Sequence, residues 1–536
     1  MRTRTPFLFL AFVLSAACAG RLAPGAGGAR YDVLIAGGTV VDGTGRAGYR
    51  ADVALRGDRI VRISRRALDP AHAARVVDAT GRVVSPGFID THAHIESLLR
   101  MRGAESSVRQ GVTTIFGGQD GSSPWPLAAA YDSVDAGGTG PNVGYYVGHG
   151  TVRRQVIGMG DRAPAGDELA RMRTMVAQGM HEGAWGLSTG LIYLPGIFAR
   201  TDEIAALAEV AGDSGGSYTS HMRDEGAGLL RSIAELTEIA RLGRLPGNVT
   251  HMKASGRRGW GLSAPALALI DSVRRTGVVV TIDQYPYTAT STSLSILVPT
   301  WALEGGDTAY QRRARDPALR ERILRETAAS LDTAQGGREP WRVQFARVRW
   351  DTTLEGRTLQ VWAERRGLAP TPENGALLVL EGMAQGGASC VYHVLQEDDV
   401  ERILRHPLTI VGSDGSLSQP GEGHPHPRAY GTFVRVLGRY VRERQVLQLE
   451  QAVRKMTGLP AERLGIERRG RLAEGWYADV VVFDPATVAD AATFERPHQY
   501  AVGVDYVVVN GRFAVDGGAS TDVRAGKALR HRPRAR

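Results

Sequence analysis

Two histidines one residue apart, His92 and His94, follow the short apolar run Gly87 to Thr91. In an extended chain, residues two apart share a face, so a strand ending here turns both imidazoles the same way. Histidine is the commonest metal ligand, and this spacing at a strand end points to a metal site. Further candidates close other predicted strands: His221 ends "SYTSHM", His251 ends "GNVTHM", and Asp414 ends "LTIVGSD". Asp120 follows "GVTTIF" in the same manner. Singly, Asp120 reads as a turn former and His221 as a core residue. Together the six make a nitrogen- and oxygen-rich ligand set suited to zinc, one or two divalent ions with a carboxylate as bridge. Lys253, two residues past His251, offers a point charge on the same side. Tyr193, after "GLSTGLI", is placed to line a pocket, and His149 in "VGHGTVR" reads either as a support for the site or as a turn residue. His424 and His426 read as loop residues.

These residues need a scaffold that brings strand ends together. From Ser217 onward the chain alternates strand and helix: "SYTSHM", a helix with Leu229, Ile233, Leu236 and Ile239 at helical spacing, "GNVTHMKA", a helix with Ser263 as its N-cap, then "VVVTIDQYPY". "ASCVYHV", a helix from Glu397 to Arg405 and "LTIVGSDGS" continue the series. Repeated strand–helix units predict a parallel sheet, and the span 86–459 suits an α/β fold of the (β/α)8 TIM-barrel type, whose sites lie at the C-terminal strand ends. Residues of about 300–381, more charged and with weaker strand signals, read as an inserted subdomain. The two ends, 30–85 and 460–520, are rich in short strands, with Asn510-Gly511 as a hairpin signal, and predict one small β-sandwich domain built from both termini.

The chain has 536 residues, 43% hydrophobic and 23% charged, the balance of a globular enzyme. Its net charge of +9 is carried by dispersed arginine, the only lysines being Lys253, Lys455 and Lys527. No nucleic-acid motif accompanies it, so a small-molecule substrate is expected rather than nucleic acid. Residues 1–19 have the basic start, apolar middle and small-residue end of an export signal. Ala17-Cys18-Ala19 reads as a cleavage site that frees a soluble periplasmic protein; Ala16-Ala17-Cys18 reads as a lipobox end that leaves a lipid anchor on Cys18. Cys390 reads as a buried apolar residue.

The motifs "VVDATGRVVSPGFIDTHAH", "GHGTVR", "GLSTGLIYLPG", "YTSHMRDE", "HMKASG", "DQYPYTA", "VGSDGS", "HPRAYGTFVRVLG" and "MTGLPAERLGI" run in order along nearly the whole chain. By these it resembles the amidohydrolase superfamily and, within it, the D-aminoacylase (N-acyl-D-amino-acid deacylase) family. The resemblance implies that His221 and His251 hold a tight zinc, that His92 and His94 belong to a second metal position, and that Asp414 is the catalytic acid/base. It places the substrate against Tyr193, Lys253, Tyr285, Ser291 and Arg428, and implies hydrolysis of an N-acyl-D-amino acid. The family usually carries a cysteine where this chain has Asp120, a harder ligand that can still bridge two ions, which leaves metal identity and number open. Other readings are a dipeptidase acting on D-amino acids, a cyclic-amide hydrolase of the hydantoinase or dihydroorotase type, and a non-catalytic envelope lipoprotein. The cyclic-amide enzymes commonly use a carboxylated lysine, and no lysine here sits at the corresponding strand.

Overall fold

The computed structural model describes residues 30–333 and 339–532. The expected export signal, with Cys18, lies outside them. Among the described residues no helix is long and apolar enough to cross a membrane.

Eight parallel strands follow one another in chain order: Phe88–Asp90, Val112–Gly117, Asn142–Tyr145 continuing as Val147–Gly148, Gly186–Gly190, Ser217–His221, Gly247–Val249, Val280–Gln284 and Thr409–Val411. Each pairs in parallel with the next. Just past the eighth, Gly415–Ser416 pairs in parallel with Ala93–His94, just past the first. The Asp414 amide donates to the His92 carbonyl (2.7 Å), and the Ser413 amide to the buried Asp90 carboxylate (2.9 Å). The loops that carry His92 and Asp414 are thereby laced together.

Helices follow most of these strands, and their apolar faces pack on the sheet. In Leu229–Leu242 the predicted stripe Leu229, Ile233, Leu236 and Ile239 is buried in the main core. The helix Ser263–Arg275 begins at its predicted cap rather than after it: Ser263 lies inside the first turn, and its hydroxyl donates to Asp399 instead of capping. The inward strand positions are polar. Asn248 donates to Asp283 (2.5 Å) and accepts from Thr281 (2.9 Å), so these buried groups are paired rather than left at a desolvation cost.

The strand Ser389–Tyr392 does not continue the parallel series. It pairs antiparallel with Thr290–Ser293 and Val343–Arg347. This three-stranded sheet has its own core, including Leu294, Phe345, Trp362, Leu380 and Tyr392. The inserted elements therefore run from about 290 to 394, wider than the expected 300–381. The extra strands are too short and too mixed in character to be told from the parallel series by pattern alone. Cys390 is fully buried there.

Both chain ends build one nine-stranded sheet. Its order is 519–520, 512–516, 504–509, 480–483, 83–86, 31–40, 49–56 and 59–64, with 73–78 also pairing 31–40. Asn510 and Gly511 take positive φ values of 47° and 79° and form the predicted hairpin turn. Residues 524–532 then leave this sheet and run back beneath the parallel strands. Gly526 donates to the Thr139 carbonyl, Val143 to Lys527, Leu529 to Val143 and His531 to Gly183, all by backbone amides.

Candidate metal and active site

The six predicted ligands come together. His92, His94, Asp120 and Asp414 form one group able to hold a cation, and Asp120, His221 and His251 form a second. Asp120 is shared. Its Oδ1 lies 3.5 Å from His92 Nε2. Its Oδ2 lies 3.6 Å from His94 Nε2, 3.4 Å from His221 Nδ1 and 3.6 Å from His251 Nε2. Asp414 Oδ1 lies 3.0 Å from His94 Nε2 and 3.5 Å from His92 Nε2.

The backbone adapts to place them. Asp120, His251 and Asp414 have φ of 53°, 33° and 49°, a region that L side chains other than Asn and Asp seldom adopt. Such conformations cost about 1–3 kcal/mol each and persist where the surrounding structure holds them. Gly190 makes room for the Asp120 loop: a Cβ there would sit 2.2 Å from the Asp120 carbonyl oxygen.

Burial and charge suit a cation. His92 Nε2 and Asp120 Oδ1 are buried, lack any hydrogen-bond partner, and face one another. Burial pushes the Asp414 carboxyl up, but Arg428, His92 and His251 more than reverse this and hold it well below the usual carboxylate range. Asp120 behaves likewise, through His92, His251 and His221. Burial disfavours charge on His94, yet hydrogen bonds to Asp414 and Glu96 lift it to about 10. Two ionised carboxylates among four imidazoles in a desolvated site attract positive charge, from protons or a metal. The nitrogen and oxygen donor set fits a divalent ion of the zinc type.

Two carboxylates that sequence reasoning missed orient these ligands. Asp283 Oδ1 lies 3.3 Å from His92 Nδ1 and accepts from the His251 amide (2.6 Å). Glu225 lies 3.0 Å from His251 Nδ1 and 3.6 Å from His221 Nε2. Each carboxylate engages the ring nitrogen turned away from the cluster, which fixes the tautomer of a ligand histidine. Their signals are present: Glu225 stands four residues after His221, and Asp283 lies one residue before the end of the strand Val280–Gln284.

The predicted substrate residues line a cavity of about 600 Å³ over this cluster. Lys253 and Arg428 are not idle cations. Lys253 Nζ donates to both oxygens of Glu225 (2.9 and 2.8 Å) and lies 2.6 Å from His251 Nδ1. Arg428 pairs with Asp414 at 2.7 Å and stacks over Tyr285 at 4.6 Å. It also reaches the Ser291 carbonyl (3.4 Å). The Tyr285 hydroxyl is buried without a partner. Tyr193 packs edge-on to His221, its hydroxyl accepting from Thr292 (3.1 Å). His149 is not in the ligand groups: it is buried against Glu203 at 2.9 Å, and Glu203 also binds Arg153. His424 and His426 are not in the ligand groups. His426 bonds the Ala289 carbonyl and accepts from the Arg428 amide, which helps set that arginine.

Residues 75–515 match the model of the amidohydrolase family. The D-aminoacylase of Alcaligenes xylosoxydans xylosoxydans is 37% identical, over 93% of this chain and 97% of that one. A solved D-aminoacylase, studied for its binuclear metal centre, superposes with a TM-score of 0.79 at 35% identity, covering 93% of this chain and 100% of its own. The N-acyl-D-glutamate deacylase of Bordetella bronchiseptica, solved with zinc and a phosphonate mimic of the tetrahedral intermediate, gives a TM-score of 0.78. It is 34% identical, over 93% and 99% of the two chains.

Proposed function

The chain belongs to the amidohydrolase family, and on that premise we propose that it is a metal-dependent hydrolase that deacylates N-acyl-D-amino acids. The observation that carries this reading is the convergence of six ligands in two groups that share one carboxylate, Asp120, with Arg428 and Lys253 alongside. We take the metal to be zinc, which when bound acts as a Lewis acid toward the scissile carbonyl and makes water a nucleophile near neutral pH. His221, His251 and Asp120 would hold one ion; His92, His94, Asp414 and again Asp120 would hold a second. Asp414, kept ionised by Arg428, accepts the proton of the attacking water and passes it to the leaving nitrogen. Arg428, Lys253 and the Tyr285 hydroxyl receive the amino acid's carboxylate, and Arg428 and Lys253 exchange part of their present pairing for it.

The finer architecture is read to match. The pairing from the first strand to the eighth, and of their extensions with each other, supports a closed (β/α)8 barrel. The nine-stranded sheet packs strands from both ends around one core, including Val53, Val77, Val480 and Val508, which supports a sandwich. We also propose that residues 1–19 direct export to the periplasm or envelope.

The test is metal content together with amine release from paired N-acetyl-D- and N-acetyl-L-amino acids, wild type beside Asp414→Ala. Bound zinc with D-selective release, lost in the variant, is the expected result. Bound metal without release from any N-acyl amino acid would move the assignment to a cyclic amide or a D-dipeptide. Absence of bound metal in protein purified without chelator would overturn it.

A further inference from the structure

A second cavity of about 530 Å³ opens onto the same cluster from another direction. The two cavities share His94, Asp120, Tyr193, Leu194, Ser291, Thr292 and Arg428, so these residues form a waist between two arms. The arms differ in chemistry. In the first, Lys253, Arg223 and Arg258 are balanced by Asp224, Glu225 and Asp307, beside an apolar wall that includes Ile192, Ile197 and Met383. The second is lined by Arg100, Arg154, Arg347 and Arg349, with serines between them. Its one carboxylate beyond the waist, Glu422, is taken up by Arg347 at 2.9 Å. Arg154 and Arg349 are exposed at its edge, and among the described residues neither guanidinium has an ion-pair or hydrogen-bond partner.

A secondary amide is planar and trans, so its acyl chain and its nitrogen substituent leave the scissile bond in opposite directions. A two-armed site with the metal ligands at its waist matches that shape, one arm for each substituent. Lys253 lines only the first arm, which assigns the amino acid there and the acyl group to the second. We infer that the second arm selects an acyl group carrying its own anion: a dicarboxylic-acid acyl chain or an acidic peptidyl group, engaged by Arg154 and Arg349. This inference rests on the deacylase reading above and names the acyl half of its substrate. Guanidinium groups recognise carboxylates by paired, charge-assisted hydrogen bonds.

The experiment compares N-succinyl and N-butyryl derivatives of the D-amino acid best used by the full-length enzyme. The two acyl chains have equal length and differ in the terminal carboxylate. A kcat/KM ratio of about ten in favour of succinyl is expected, shrinking as salt is raised. In the double variant Arg154→Glu, Arg349→Glu the ratio should fall below one, with metal content and melting temperature as checks on folding. A ratio near one in the wild type, or one that the double variant does not change, overturns the inference. A preference for N-acetyl-D-glutamate over N-acetyl-D-leucine that the double variant abolishes also overturns it, because the arm would then hold the side chain of the amino acid. Absence of release from every N-acyl-D-amino acid would instead sink the deacylase reading itself.

Discussion

Asp120 sits where two pairs of histidines meet, and its two oxygens divide between them: Oδ1 faces His92, while Oδ2 faces His94, His221 and His251. The outer carboxylates set how well these rings bind. Glu225 touches His251, His221 and Lys253 at once. Glu225→Gln keeps the shape and removes the charge. It is expected to weaken metal binding by roughly 10–100-fold, read by competition against a chromogenic chelator. Unchanged affinity would reduce Glu225 to a partner of Lys253 alone. His92, His94, His221, His251 and Asp414 are legible in the sequence because each ends or follows a predicted strand. Glu225 and Asp283 were not singled out, since acidic residues after strands are common and their role depends on which ring nitrogen they reach.

At the scale of elements, the site depends on close backbone approach where strands end. Gly190 closes the fourth parallel strand against the Asp120 loop. Gly190→Ala places a Cβ 2.2 Å from the Asp120 carbonyl oxygen, so the loop must move. The expected outcome is loss of metal affinity larger than loss of folding stability, measured by chelator competition and calorimetry on the same variant. A second element contact makes a pH prediction. Lys455, on the helix Leu449–Met456, is buried and donates to the carbonyls of His406 (2.5 Å) and Thr409 (3.2 Å) beside the eighth strand. Burial first, then Arg454, lowers its pKa from the usual lysine value of 10.5 to about 7. Between these values the unfolded chain binds the proton and the folded one does not, so stability rises with pH across that window. Below about pH 7 both forms carry the charge and the dependence vanishes. Lys455→Met should therefore lose stability relative to wild type as pH climbs from 7 to 10, in denaturant titrations at each pH. Parallel curves for the two proteins across that range would contradict the shift.

The whole molecule is tied at its base by its last residues. The 524–532 segment returns from the nine-stranded sheet, donates and accepts backbone hydrogen bonds with Thr139, Val143 and Gly183, and accepts one from the Trp185 indole at Leu529 (2.7 Å). Leu529 packs beside Ile89, Phe116 and Trp185, and Arg530 pairs with Asp132 and Asp135. Deleting 524–536 leaves buried donors and acceptors unpaired, at about 1–3 kcal/mol each. A melting temperature lower by at least ~5 °C is expected, while kcat at low temperature holds, since the segment lies away from the strand ends that carry the site. A large loss of kcat in the folded, metal-loaded truncation would mean that this tie also positions the site. Metal removal acts at the same scale: ligands drawn from several strand ends gain a shared partner only in the folded chain. Stripping with chelator should lower the melting temperature, and re-addition should restore it.

Which residues could bind metal, and that strand ends present them, can be read from the chain alone. Both follow from local rules: side chains alternate along a strand, and turn residues follow apolar runs. The hairpin at Asn510-Gly511 and the strand-rich ends also point to one β unit built from both termini. Packing alone reveals that Arg428 and Lys253 are already paired, that Ser389–Tyr392 pairs with the inserted strands, and that two arms meet at the ligands. Those facts depend on contacts between residues dozens to hundreds of positions apart. Periodicity reports which face of its own element a residue occupies; what lies opposite is set by packing.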